Sequence, residues 1–245
     1  MERTEIAQLK AYIEEAQIIA FFGGAGVSTE SGLPDYRSKD GTYTELEKKA
    51  LDPKKIMSRK FLTEQPEAFF NRPHNKRTEP APNDAHIVLA EMEKAGKDIR
   101  VITQNVDGLH QQAGHRFVLE LHGHNRTWYC MECTRVYSPR EIQKDERNIP
   151  RCPIENGIVR PSVVLFGENP NKEIVEKSKA TIKTADLLII AGTSLSVNPA
   201  RNYIHQFKGK HVVVINNEEI DTGNLEIDLF IEGKVGETLA AVKES

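Results

Sequence analysis

Two groups of residues in this chain of 245 amino acids have types and spacings that can do chemistry. The first is Gly23-Gly24-Ala25-Gly26-Val27-Ser28-Thr29, which follows directly on the apolar run Ile18 to Phe22. Glycines in such a turn let the backbone approach a phosphate, and a helix beginning there would offer N–H donors and a positive dipole end. The pattern has no third glycine, and no acidic residue follows at the spacing expected for a ribose, so a tight strand-to-helix turn is the alternative reading. The second group is Cys130-Met131-Glu132-Cys133 together with Cys152-Pro153-Ile154-Glu155. Cysteines at this spacing suggest a metal site rather than a disulfide framework, with free thiols as the alternative.

Elements must hold these groups in place. Short β-branched runs at 18–22, 99–103, 187–191 and 212–215 read as strands buried on both faces, as in a parallel sheet; 163–166 and 229–231 are weaker candidates of the same kind. Ile6, Leu9, Ile13 and Ala16 share one helical face before the first strand, and 86–94 carries Ile87, Val88, Leu89 and Met92 before the second. Helices alternating with buried strands predict an α/β fold, a Rossmann-like doubly wound parallel sheet whose ligands sit at the carboxyl ends of the strands. Two stretches interrupt the alternation. We therefore expect a large domain over 1–38, 84–124 and 158–245, and a small module made of 39–83, a helical insertion, and 125–157, a zinc-ribbon-like insertion.

With 38% hydrophobic and 28% charged residues, the chain suits one globular unit able to bury roughly three quarters of its unfolded surface. A net charge of −3 gives no electrostatic reason to expect nucleic acid. No apolar run approaches the length of a membrane span, and Met1-Glu2-Arg3-Thr4-Glu5 lacks the apolar core of a signal peptide. The expectation is a cytoplasmic protein without a membrane partner.

Residues 24 to 37 read Gly-Ala-Gly-Val-Ser-Thr-Glu-Ser-Gly-Leu-Pro-Asp-Tyr-Arg. Thr103-Gln104-Asn105-Val106-Asp107-Gly108-Leu109-His110, Glu120-Leu121-His122-Gly123 and Gly192-Thr193-Ser194-Leu195 follow in that order. This series closely resembles the sirtuin family over nearly the whole chain, with Tyr36 where phenylalanine is commoner. The resemblance implies an enzyme that cleaves nicotinamide from NAD and transfers the acyl group of a lysine side chain to the ADP-ribose. It implies His122 as the base that activates a ribose hydroxyl, and Asn105 as the residue holding ribose and a water. His122 alone would more often be a packed or surface histidine, but a base of this kind must titrate near neutrality.

For the cofactor, the resemblance implies Gly24, Ala25, Gly26, Ser28 and Thr29 near the phosphates, with Arg37 supplying positive charge. Tyr36, Val106 and Asp107 would surround nicotinamide, Asp107 binding its amide, while Asp35 touches the cofactor or caps a turn. Gln104 and Asn216 would contact ribose; Gly192, Thr193, Ser194 and Val235 complete the set. Arg160 to Glu168 resembles the stretch on which the peptide adds as a strand, with Val163 against the acyl-lysine stem and Phe166, Gly167 and Glu168 beside it. Ser162 stands where an acidic or amide residue is usual. His86 and His110 are expected to be structural, and Trp128 and Tyr129 to pack the module.

Sirtuins carry two cysteine pairs holding a structural zinc ion; here Glu155 stands where the fourth cysteine belongs. Cys130, Cys133 and Cys152 with Glu155 form one candidate ligand set. A nearby group in place of Glu155 is a second reading, and loss of the metal a third. A Tyr-x-x-Arg pair, which accompanies acidic acyl groups in the family, does not occur within 39–83, so acetyl or a longer neutral acyl chain is expected. The rival readings are a protein ADP-ribosyltransferase, a weakly active NAD sensor and, least favoured, a dehydrogenase.

Overall fold

A computed structural model describes residues 3–36, 38, 41–48, 50–72, 79–196 and 200–245. Six parallel strands form the main sheet: β1 (Ile18–Gly23), β2 (Asp98–Thr103), β3 (Val118–Glu120), β4 (Leu187–Ala191), β5 (His211–Asn216) and β6 (Leu229–Glu232). Their order across the sheet is β6-β5-β4-β1-β2-β3. The order reverses between β1 and β4, which makes that junction the switch point where an open α/β sheet binds ligands.

Alternation along the strands explains why both faces are buried. Ile19 and Phe21 of β1 point into one core with Leu9 and Ile13 of α1 (Arg3–Glu15), Leu89 of α2 (Asp84–Lys94) and Leu239 of the C-terminal helix Val235–Glu244. Ala20 and Phe22 point into the other, with Ile182 of the helix Lys172–Thr184 and with Tyr203 and Ile204. A strand with two buried faces needs no polar alternation, so its sequence is continuously apolar. In α2 the expected apolar Ile87 is instead 40% exposed, while Val88 and Leu89 face the core.

The expected strand over 163–166 does not form: of these residues only Val163 lies in a strand, and Phe166 makes an isolated bridge to Ser58. Val159–Val163 is an edge strand of a three-stranded antiparallel sheet, paired with Gly123–Cys130, which in turn pairs with Val136–Tyr137. Pro161 within it suits an edge position, where a missing N–H costs no ladder bond. Conversely, Val118–Glu120 is a main-sheet strand with too few residues to show a period. Four short helices among the described residues, Thr42–Lys48, Pro53–Ile56, Arg59–Glu64 and Pro66–Phe70, stand beside the antiparallel sheet. Leu62 and Phe69 pack with Leu165 and Met131, so the helical insertion and the cysteine-bearing insertion share one small core.

Candidate active site

The carboxyl ends of β1 and β4 interlock. Gly24 N donates to Ala191 O at 3.0 Å and Gly26 N to Gly192 O at 2.8 Å. A Cβ on Gly24 would lie 2.6 Å from Thr193 Cβ, and one on Gly192 only 2.4 Å from Val27 N, with φ already at +56°. The glycines are therefore required by the contact of two strand-end turns, independently of any phosphate. Ala25–Ser31 is a 3-10 helix of 7 residues rather than an α-helix. The N–H groups of Gly24, Gly26 and Val27 are spent inside the protein, Val27 on Gly24 O. The donor supply expected from a helix start is smaller than the sequence suggests.

The turn after β2 folds onto this knot. Asn105, 8% exposed, donates from Nδ2 to Gly24 O at 3.0 Å and to Ser28 Oγ at 3.1 Å. Ser28 Oγ in turn donates to Asp107 Oδ2 at 2.8 Å, and Leu109 N donates to Asp107 Oδ1 at 3.0 Å. Buried polar groups need such partners, and the chain fixes the directions of all three side chains. Gln104 N is held by Gly23 O at 3.0 Å, and its side chain donates to Thr193 Oγ1 at 3.1 Å, linking β2 to β4.

His122 follows β3. Its Nδ1 lies 3.0 Å from Gln104 O, and because a carbonyl only accepts, the proton sits on Nδ1 and the lone pair on Nε2. Burial pushes its pKa below the ordinary imidazole value, against the raising effect of the Gln104 hydrogen bond. The neutral ring, able to accept a proton at Nε2, is thus the form near neutral pH. Val164 N donates to His122 O at 2.8 Å, tying His122 to the 160–168 segment.

Other expected residues take distinct places. Thr29 Oγ1 donates back to Gly26 O at 2.9 Å, and Ser194 Oγ lies 2.7 Å from Ser196 Oγ. Asn216 ends β5, its side chain donating to Glu218 O at 2.8 Å, and Val235 begins the C-terminal helix. Asp35 Oδ1 caps a turn by accepting from Ser38 N at 2.9 Å. Tyr36, Tyr43 and Phe166 form an aromatic row with centroids 5.0 and 6.4 Å apart, joining the loop after the 3-10 helix to the 160–168 segment. Glu168 accepts from Arg160 at 2.6 Å, Arg59 at 3.0 Å and Leu165 N at 2.8 Å. Burial raises its pKa, but these donors outweigh it and hold the carboxyl below the usual range. Glu168 thus has a structural task, and Gly167, at φ +88°, makes the turn that brings it back. Arg37 lies outside the described residues.

Sequence reasoning missed Asn83 and Glu30. Asn83 caps α2 and donates from Nδ2 to Val27 O at 2.8 Å; an asparagine before a helical pattern is a legible cap signal. Glu30 accepts from Gly236 N at 2.7 Å and Glu237 N at 3.2 Å, docking the C-terminal helix on the 3-10 helix, a long-range contact without sequence signal.

The Cys130, Cys133 and Cys152 sulfurs lie within 4.8 Å of one another, with Cys133 and Cys152 at 3.7 Å. Zn–S bonds of about 2.3 Å place tetrahedral sulfurs about 3.8 Å apart, so the three thiols fit one zinc ion. Glu132 N and Glu155 N approach Cys130 Sγ at 3.4 Å and Cys152 Sγ at 3.5 Å, as N–H donors that stabilise thiolates do. Together with the Tyr137 hydroxyl, 3.0 Å from Cys152 Sγ, the Glu155 N–H lowers the Cys152 pKa to about 6. The Glu155 side chain is exposed, and its carboxylate does not belong to the thiol group.

A parallel sheet in this order, with its site built from glycine turns at the switch point, defines a protein of the dinucleotide-binding, doubly wound α/β class. Residues 24–199, well over half the chain, match the Sir2 family, and the chain belongs to that family. An NAD-dependent protein deacetylase of Cutibacterium acnes is 42% identical over 241 residues, covering 97% of each chain. Another, of Clostridium perfringens, is 42% identical over 241 residues, covering 97% of this chain and 98% of its own. Among solved structures, a Sir2 variant with a deacetylated p53 peptide and 3'-O-acetyl ADP ribose superposes with a TM-score of 0.87 at 29% identity, covering 98% of both chains. A Sir2 bound to acetylated peptide gives a TM-score of 0.84 at 28% identity, covering 100% of this chain and 98% of its own.

Proposed function

We propose that this chain is an NAD-dependent protein-lysine deacylase with His122 as its general base. Bound NAD supplies an electrophilic ribose carbon once its bond to nicotinamide breaks. The protein's part is to hold that sugar, bind the leaving ring and move one proton. The observation carrying the reading is the His122 ring, whose Nδ1 proton is fixed on Gln104 O so that Nε2 is left basic. Asn105 commits both Nδ2 protons to Gly24 and Ser28, which leaves its Oδ1 as an acceptor for a ribose hydroxyl or a water. Asp107, oriented by Ser28 and Leu109, keeps lone pairs for the carboxamide N–H of nicotinamide.

Gly24, Ala25, Gly26, Ser28, Thr29, Arg37, Thr193 and Ser194 are assigned to the phosphates and adjoining ribose. Gln104, Asn216 and Val235 line the remainder, and Asp35, Tyr36 and Val106 bound the nicotinamide side. The acyl-lysine peptide is assigned to the free edge of Val159–Val163, where main-chain bonding tolerates many sequences. Acetyl or another neutral acyl group is its cargo. Cys130, Cys133 and Cys152 would hold a structural zinc ion that fixes the small module and takes no part in the chemistry.

The test is an acetyl-lysine peptide incubated with the protein, with and without NAD. The peptide should lose the mass of one acetyl group only when NAD is present. An unchanged peptide with ADP-ribose on a protein would replace this reading by that of a transferase.

A further inference from the structure

We propose that the fourth coordination position of the zinc site is open: three thiolates hold the ion, and the fourth position takes an exchangeable neutral donor, water at rest or an imidazole-type nitrogen when offered. The inference rests on the zinc assignment just made. Its first support is the composition of the cluster. Among the described residues the only His, Cys, Asp or Glu ligand atoms grouped here are the sulfurs of Cys130, Cys133 and Cys152.

Glu155 occupies the sequence position of a fourth ligand, and the turn around it is already closed. Asn156 N donates to Cys152 O at 2.9 Å, Cys152 N donates to Gly157 O at 2.9 Å, and Asn156 sits at φ +53°. That closure holds the Glu155 backbone N–H on Cys152 Sγ while its side chain stands in solvent. A cysteine sulfur is one bond from Cβ, whereas a glutamate oxygen is three, so the carboxylate overshoots a place shaped for sulfur unless its chain folds back. Folding back would immobilise a rotamer-rich side chain. It would also bring a carboxylate onto an ion whose three thiolates already make the site net negative. A neutral donor meets neither cost, and catalytic zinc sites show that three protein ligands plus one exchangeable water make a stable shell.

Two of the sulfurs also have close protein neighbours. Tyr137 OH lies 3.0 Å from Cys152 Sγ, and a Cβ added to Gly157 would come within 2.9 Å of Cys130 Sγ.

The test uses the full chain loaded with Co2+ in place of zinc and read by electronic absorption, independently of deacylation. One Co2+ per chain is expected, with tetrahedral d–d bands and thiolate charge-transfer intensity for three sulfurs. Added imidazole should shift the d–d bands saturably. Glu155→Ala should leave spectrum and metal affinity within about twofold of the parent, since it removes no ligand. Glu155→Cys should raise the charge-transfer intensity by about a third, four sulfurs against three, and abolish the imidazole response. A changed spectrum in Glu155→Ala would identify the carboxylate as a ligand and overturn the proposal. So would a parent protein whose bands ignore imidazole, or one that binds no Co2+. Deacylation measured on the same samples separates any of these failures from failure of the enzymatic reading.

Discussion

His122 Nδ1 and the carbonyl oxygen of Gln104 are 3.0 Å apart, across a span of 18 residues that includes a helix and a strand. One contact fixes the tautomer of the proposed base and holds it against the turn that carries Asn105 and Asp107. Because Gln104 N is itself bonded to Gly23 O, the base is referenced to the switch point of the sheet rather than to a loose loop.

Replacing His122 with alanine should lower deacylation by about 10²–10⁴-fold, the range for loss of a general base, with little change in NAD affinity. Since burial lowers the His122 pKa, the acid limb of kcat/KM should fall at a pH below the ordinary imidazole value of about 6.5. A pH–rate profile of the wild-type protein checks this; an acid limb centred above that value would count against His122.

The Ser28–Asp107 hydrogen bond, 2.8 Å long, predicts a split in kinetic effect. Ser28→Ala removes the group that aims Asp107 and leaves one Asn105 proton without its acceptor, a cost of about 1–3 kcal/mol. NAD KM should rise about tenfold or more, with the thermal midpoint lowered by several degrees. Steady-state kinetics with varied NAD, together with calorimetry, measure both. An unchanged KM would detach Ser28 from the cofactor site.

Gly192→Ala should be among the most damaging single substitutions. The new Cβ would meet Val27 N at 2.4 Å and Gly26 C at 2.6 Å, both backbone, at a positive φ. Neither atom can yield without parting β1 from β4, so a loss of about 3 kcal/mol or more is expected in urea unfolding. Gly114→Ala, where a Cβ would meet nothing within 4 Å though φ is +105°, should cost only its backbone strain.

His86, His110 and His115 are buried and stack edge to face, with ring centroids 4.6 and 5.3 Å apart. Burial lowers all three pKa values, that of His86 to about 4. The folded protein therefore takes up these protons later than the unfolded chain. Stability is complete above about pH 6.5 and falls as the pH drops toward about 4, with His86 alone contributing on the order of 3 kcal/mol across that window. Urea midpoints between pH 7.5 and 5 should decline, and more shallowly in His110→Leu. A flat profile would contradict the burial of neutral rings.

The main-sheet strands 18–23, 98–103, 187–191 and 211–216 were legible because both faces are buried, which writes itself as continuous apolar sequence. Val118–Glu120 was not, since three residues carry no period. The apolar run 163–166 does not form a main-sheet strand, since such a run does not state which sheet it joins; the strand here is Val159–Val163, whose partner is Gly123–Cys130. The chemistry-bearing residues stood out through ordered motifs. Their mutual bonds, such as Asn105 to Ser28 or Glu30 to the C-terminal helix, depend on segments brought together only by the fold.

The most direct measurement follows nicotinamide and deacetylated peptide together, in wild-type protein and in His122→Ala, from NAD and an acetyl-lysine peptide. The account predicts equal amounts of the two products in the wild type, dependent on NAD. In the variant it predicts loss of deacetylated peptide while labelled nicotinamide still exchanges into NAD. Undiminished deacetylation in His122→Ala, or nicotinamide released by the wild type with the peptide left acetylated, would contradict it.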